Sequence, residues 1–77
     1  MIDFNKLKQL MSDILEIDIN NINKDSGSDN IEQWNSLSHV QLVMAIEAEF
    51  DVKLTPDDMF DMLSVKSIIM ILEERVK

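Results

Sequence analysis

The chain has 77 residues, which predicts one domain over residues 1–77 with a modest core, since a chain this small buries only about 60% of its unfolded surface. It contains no cysteine, which excludes disulfides and thiolate sites, and no apolar run approaches about 18 residues, so a soluble cytoplasmic protein without a membrane span is expected. Fifteen acidic and seven basic residues give a net charge of −8, which argues against nucleic-acid binding and favours partner proteins with basic surfaces.

The first predicted element is a helix from about Asp3 to Glu16, with Asp3 as its N-cap. Its apolar residues recur at steps of three and four, the pattern of one buried helical face. These residues are Phe4, Leu7, Leu10, Met11, Ile14 and Leu15. We interpret this helix as scaffold.

Residues 17–33 are rich in Asn, Asp and Ser and contain the only glycine, which predicts a long loop. Four scattered isoleucines are expected to pin the loop across the bundle: Ile17, Ile19, Ile22 and Ile31. Part of the loop fits a calcium-loop template at its first, third, fifth and twelfth positions, which are Asn21, Asn23, Asp25 and Glu32. The template needs glycine at the sixth position, but Ser26 stands there, so calcium binding is not expected.

A second helix is predicted from Ser36 to about Phe50, and it carries two apolar stripes. At about 100° per residue, one stripe contains Leu42, Val43, Ile46 and Phe50. The stripe on nearly the opposite side contains Leu37, Val40, Met44 and Ala48. A helix of a small soluble domain normally buries one stripe, so the second is either covered by another part of the chain or offered to a partner or ligand.

The start of this helix is chemically distinctive. An anion attached to the Ser36 oxygen, such as a phosphodiester, would be stabilised by free backbone N–H groups and the positive end of the helix dipole. Alternatively, Ser36 or Asn35 is only an N-cap, or Ser38 and Gln41 form a capping box. These roles are compatible with one another.

Two ring side chains flank the helix start. Trp34 either anchors the end of the loop against the helices or flanks a group attached to Ser36. The single histidine, His39, has no partners for a metal site or a catalytic triad. We expect a packed or capping histidine on the Leu42 side of the helix, not a base for Ser36. The chain is therefore not expected to be an enzyme.

Thr55 and Pro56, followed by Asp57 and Asp58, predict the start of a short third helix. Its apolar residues are Met59, Phe60, Met62 and Leu63. Ser64 is then predicted to cap a final helix from Val65 to about Val76, with Arg75 and Lys77 near its negative end. Its predicted core-facing residues are Val65, Ile68, Ile69, Ile71, Leu72 and Val76. The predicted fold is all-α, a small four-helix bundle with three main helices and a short third one.

The segment Trp34-Asn35-Ser36-Leu37, followed by VQLVMAIEAEF, resembles the acyl carrier protein family, including its peptidyl and aminoacyl carriers. The resemblance covers essentially the whole chain. It implies that a phosphopantetheinyl transferase attaches 4′-phosphopantetheine covalently to Ser36, and that the thiol of this arm holds an acyl or aminoacyl group as a thioester. It also implies a monomer whose third helix borders the site for the acyl chain or a partner.

The resemblance further implies a face that recognises the transferase and the acyl- or aminoacyl-activating enzymes. Its residues are Trp34, Asn35, Leu37, Val40, Gln41, Met44 and Glu47. Asn35 replaces the usual Asp, Gln41 and Ala48 replace common glutamates, and Trp34 precedes the motif. These departures favour a specialised stand-alone carrier in a secondary pathway, such as a peptide, polyketide or surface-polysaccharide cluster, over service to the general fatty-acid synthase. The alternatives are an aminoacyl carrier, or an unmodified interaction module that binds partners through the second stripe.

Overall fold

The computed structural model describes residues 2–75, which form four α-helices in the order expected from the sequence. They are α1 (Phe4–Leu15), α2 (Ser36–Phe50), α3 (Pro56–Asp61) and α4 (Val65–Arg75), with a 3₁₀ turn at Ile19–Asn21. The predicted bundle of three main helices and a short third one is confirmed. The end of the last helix was predicted at Val76, with Lys77 beyond it, and both residues lie outside the described part of the chain.

Side-chain caps define the helix starts where the sequence predicted them. The Asp3 carboxylate accepts a hydrogen bond from a backbone N–H of the first turn of α1. At the start of α3, the Thr55 hydroxyl accepts from the N–H of Asp58 at 3.1 Å, and the Asp58 carboxylate accepts from the N–H of Thr55 at 3.0 Å. The Ser64 hydroxyl accepts from the N–H of Ser67 at 3.1 Å, so Ser64 caps α4.

The hydrophobic core draws on all the main helices and on the long loop. Its members with no exposed surface are Leu7, Met11, Leu42, Ile46, Met62, Val65, Ile68 and Leu72. Two of the loop isoleucines, Ile22 and Ile31, are also buried in this core, while Ile17 and Ile19 are half-buried. Ile17, Ile22 and Ile31 therefore pin the loop across the bundle as predicted, whereas Ile19 is half-buried and is not packed against this core.

A backbone contact that the sequence did not indicate fixes the middle of the loop to the start of α4. Gly27 pairs with Ser64 in an antiparallel bridge, and the N–H of Val65 donates to the carbonyl of Ser26 at 2.9 Å. A Cβ atom at Gly27 would lie 3.1 Å from the carbonyl oxygen of Leu63, so glycine permits this close approach. The anchored loop then leads the chain to the start of α2.

An ion pair ties the short helix α3 to the end of α4. Arg75 donates to both carboxylate oxygens of Asp58, from Nη2 at 2.9 Å and from Nε at 3.2 Å, and Asp58 is only 7% exposed. The sequence assigned these two residues to separate helix dipoles and did not indicate the pair. The bidentate geometry holds α3 against the bundle.

This ion pair predicts an acid-dependent contribution to stability. The hydrogen bond from the N–H of Thr55 and the bonds from Arg75 lower the pKa of Asp58 below its ordinary value. A carboxyl whose pKa is lower in the folded state stabilises the fold above its unfolded pKa, about 3.9, and loses that contribution as the pH falls through the folded value. We expect Asp58→Asn to lower the free energy of unfolding at pH 7 and to lower it less below about pH 4.

Urea unfolding of the two proteins across this pH range measures the effect. The other carboxyl groups titrate in both proteins, so the difference between them isolates Asp58. A difference that stays constant between pH 7 and about pH 3 would contradict the assignment.

Candidate functional site

The second helix begins with a capping box made by Asn35 and Ser38. The Asn35 side-chain oxygen accepts from the backbone N–H groups of Leu37 at 3.0 Å and Ser38 at 3.1 Å. The Ser38 hydroxyl accepts in return from the N–H of Asn35 at 2.9 Å. The suggested capping box of Ser38 with Gln41 is therefore wrong, because the Ser38 hydroxyl is already paired with the residue on the N-terminal side.

This cap leaves Ser36 as the first helical residue, exposed and outside the capping hydrogen bonds. The capping residue is a neutral amide, and no acidic residue lies in the first turn of α2. The positive end of the helix dipole is therefore not neutralised by a carboxylate within that turn. An anionic group on the Ser36 oxygen fits this position electrostatically.

An apolar cavity of about 580 Å³ opens beside Ser36, between residues of α2 and α3. Its volume lies within the roughly 300–1,000 Å³ that is usual for small-molecule sites. The cavity is lined by Ser28, Trp34, Asn35, Ser36, His39, Val40, Pro56, Met59, Phe60 and Leu63. The exposed hydroxyl of Ser36 thus stands at the edge of a space that suits an apolar group.

His39 connects the end of the loop to α3 through both of its ring nitrogens. The indole N–H of Trp34 donates to Nδ1 of His39 at 2.9 Å, and Nε2 lies 2.8 Å from the carbonyl oxygen of Met59. Because Nδ1 accepts, the proton of the neutral ring is assigned to Nε2, which donates to Met59. The packed histidine is confirmed, but its contact with α3 was not foreseen.

Trp34 packs in the core and also borders the cavity. Its side chain is 2% exposed and belongs to the core, which confirms that it anchors the end of the loop. The indole also lines the cavity beside Ser36. Because both nitrogens of His39 are engaged, this ring is not available as a base for Ser36.

Comparisons with known proteins agree with this arrangement. A family model described as a phosphopantetheine attachment site matches residues 5–71. The acyl carrier protein of Picosynechococcus sp. is 34% identical over 61 residues, covering 79% of this chain and 74% of the relative. This chain belongs to the acyl carrier protein family. Proteins of this family carry acyl groups on phosphopantetheine and are not themselves enzymes.

Two further relatives and a solved structure extend the comparison. The acyl carrier protein of Guillardia theta is 36% identical over 61 residues, covering 79% of this chain and 74% of the relative. That of Petrotoga mobilis is 27% identical over 73 residues, covering 95% and 86%. The solution NMR structure of a holo acyl carrier protein from Geobacter metallireducens has a TM-score of 0.85 at 17% identity, covering 99% of this chain and 87% of that one. This likeness shows the shared fold.

The two apolar stripes of α2 have different surroundings in this carrier. Leu42, Val43 and Ile46 are buried and Phe50 is half-buried, so this stripe faces the core. The opposite stripe is open to solvent: Leu37 is 71% exposed, Val40 44% and Met44 63%, and Ala48 is exposed as well. The second stripe is therefore not covered by the described part of the chain and remains available to a partner.

Of the remaining predicted recognition residues, one is exposed beside the second stripe and three take part in contacts within the fold. Gln41 is exposed beside the second stripe. The Glu47 carboxylate accepts from the backbone N–H of Leu54 at 2.9 Å, Asn35 serves as the helix cap, and Trp34 is buried. These three side chains thus hold the site together, and their direct contact with partners stays a prediction.

Sequence reasoning gave no recognition role to two apolar residues at the cavity rim. Phe60 is 75% exposed and Leu63 is 46% exposed. Phe60 lies in α3, Met62 is its C-cap and Leu63 lies beyond the helix, so apolar character alone did not indicate that Met62 is buried while Phe60 and Leu63 are exposed.

Within residues 2–75, no helix is both long enough and apolar enough to cross a membrane. No group of three or more potential metal-binding side chains comes together in that same range. In the segment that partly fits the calcium template, the Asn23 side chain accepts from the N–H of Asp25 at 2.8 Å, as in an Asx turn.

Proposed function

We propose that Ser36 is the attachment point of a covalent 4′-phosphopantetheine arm and that the chain presents an acyl thioester to the enzymes of a biosynthetic pathway. The carrying observation is the exposed Ser36 hydroxyl at the first position of α2, outside the cap and beside an apolar cavity. When bound, the arm supplies the thiol on which an acyl group is held. The residues around Ser36 fit such a group in both charge and polarity.

The neighbouring residues position Ser36 and do not activate it. Asn35 and Ser38 hold the helix start, which keeps the Ser36 oxygen at the positive end of the dipole. A separate transferase joins this oxygen to phosphorus, the hydroxyl proton is lost, and adenosine bisphosphate leaves coenzyme A. Ser36 is therefore an attachment point and not a nucleophilic catalyst of this chain.

Partner enzymes are proposed to dock on the second stripe of α2, formed by Leu37, Val40 and Met44, together with the neighbouring Gln41. This surface is apolar at its centre and lies on a chain with a net charge of −8. The transferase and the acyl-activating enzymes are therefore expected to carry basic docking surfaces, which raise the association rate. Trp34, Asn35 and Glu47 are proposed as further recognition residues, which also hold this surface in place.

The cavity supports a proposal for the acyl cargo, and the docking face supports a proposal for the pathway. The apolar lining of the cavity favours an acyl over an aminoacyl group, since an ammonium would lose its water there. Asn35, Gln41 and Ala48 bring no negative charge to the docking face. We accordingly propose a specialised, monomeric, cytoplasmic carrier domain that serves a secondary-metabolite, polysaccharide or fatty-acid-like pathway and not the general fatty-acid synthase.

Intact-protein mass spectrometry tests the attachment. The protein is incubated with coenzyme A and a broad-specificity phosphopantetheinyl transferase, and the expected gain is one phosphopantetheine per chain. Fragmentation then locates the group, with Ser36 expected to carry it and Ser38, two residues away, as the internal control. No gain with a transferase active on another carrier would favour the unmodified interaction module.

A further inference from the structure

The indole of Trp34 forms the inner wall of the cavity beside Ser36, on the side that faces the core. Trp34 lines the cavity and also belongs to the cluster of buried core residues. Among residues 2–75, no other side chain is in both groups. The indole is thus the boundary between the space that opens at Ser36 and the packed interior.

The core cluster to which Trp34 belongs also contains side chains that are closed to solvent. Leu42, Ile46, Ile68 and Leu72 have no exposed surface. Protein cores are packed as densely as organic crystals, and added methylene groups force their neighbours to move. An acyl chain on Ser36 therefore has room within the cavity but not beyond the indole, unless the wall moves.

Hydrogen bonds hold the wall in place. The buried indole N–H of Trp34 has His39 Nδ1 as its acceptor at 2.9 Å, and rotation of the ring away from it would leave a buried donor unpaired. His39 Nε2 bonds the carbonyl of Met59 at 2.8 Å, and Met59 and Phe60 of α3 line the other side of the cavity. One imidazole therefore fixes both sides of the space.

We propose that the hydrogen-bonded bridge from Trp34 through His39 to Met59 sets the length of acyl chain that this carrier shelters. Short chains occupy the cavity, and the excess of longer chains stays in solvent and does not enter the core. This inference rests on the proposed attachment at Ser36. Trp34 is then a specificity-determining residue, and His39 is a positioning residue that acts through Trp34 and α3.

Methyl NMR of the loaded protein tests the proposal. The wild type, His39→Leu and His39→Gln are loaded from butyryl-, octanoyl- and dodecanoyl-coenzyme A, and each product is first verified by intact mass. Absence of loading would count against the attachment at Ser36. Once the protein is loaded, the methyl chemical shifts test only whether the Trp34 wall keeps the acyl chain out of the core. In the wild type, every chain is expected to shift the methyl signals of Val40, Met59 and Leu63.

The core methyl groups of Leu42 and Ile68 decide the outcome. In the wild type their shifts are expected to be the same with butyryl and dodecanoyl chains. His39→Leu removes both hydrogen bonds, so longer chains are expected to shift these core signals. His39→Gln supplies one acceptor and one donor, and is expected to restore the wild-type pattern.

A second readout uses the protein before loading. The indole N–H of Trp34 is expected to exchange with solvent about tenfold faster in His39→Leu than in the wild type, the factor that one hydrogen bond contributes. If His39→Leu does not fold, Trp34→Phe takes its place in the chain-length experiment. This variant keeps an aromatic ring but lacks the N–H that donates to His39. Core shifts with dodecanoyl wild type, or a wild-type pattern in the folded variant without the bridge, would overturn the proposal.

Discussion

Ser36→Ala is expected to abolish phosphopantetheine loading without weakening the fold, whereas Ser38→Ala is expected to weaken the fold without abolishing loading. Ser36 is exposed and takes no part in the cap. The Ser38 hydroxyl accepts from the N–H of Asn35 at 2.9 Å and donates to the carbonyl of Gln33 at 2.7 Å. Removing a capping side chain costs about 0.5–2 kcal/mol of stability.

Intact mass after transferase treatment measures the loading, and urea unfolding measures the free energy of unfolding. The two serines lie in the same turn of one helix, so each variant is a matched control for the other. Phosphopantetheine on the Ser36→Ala protein would refute the attachment site. A Ser38→Ala protein with wild-type stability would show that the cap contributes less than its geometry indicates.

Leu42→Ala and Met44→Ala are expected to separate the two faces of α2. Leu42 has no exposed surface and Met44 is 63% exposed. Truncation of the buried leucine removes apolar contacts and leaves a cavity, which costs about 2–5 kcal/mol. That is a large share of the roughly 5–15 kcal/mol that stabilises a domain. Truncation of the exposed methionine is expected to change stability by less than about 0.5 kcal/mol.

For partner recognition, truncation of the exposed Met44 is expected to have the larger effect. If Met44 lies at the centre of the docking surface, its truncation is expected to lower kcat/KM for the transferase by about tenfold, the loss typical of one important interface side chain. Met70→Ala serves as the matched control, because this methionine is 66% exposed on α4, outside the second stripe. Equal kcat/KM for Met44→Ala and the wild type would place the docking surface elsewhere.

The contrast between these stripes shows where reasoning from the sequence reached its limit. Helical periodicity identified both sets of residues, because the angular position of a side chain depends only on the helix itself. It could not say which set is covered, since that depends on where α1, α4 and the loop pack. The structure buries Leu42 and Ile46 and leaves Leu37 and Met44 exposed.

The helix cap gives a second example at shorter range. The sequence around Ser36 allowed caps through Asn35, Ser36 or a box of Ser38 with Gln41, because all these side chains lie within reach of the first turn. The extended backbone of Asn35, with φ −106° and ψ −175°, makes it the cap and pairs it with Ser38. With Asn35 as the cap, the Ser36 hydroxyl takes no part in the capping hydrogen bonds.

The sequence by itself determined the all-α class, the order and starts of the four helices, and the candidate attachment residue. These features depend on periodicity, caps and a short motif, all of which are local. Only the tertiary structure decided the cavity beside Ser36, the bridge from Trp34 through His39 to Met59, and the pair of Asp58 with Arg75. The last two join different elements, up to 20 residues apart in the chain, and such contacts exist only once the helices have packed against one another.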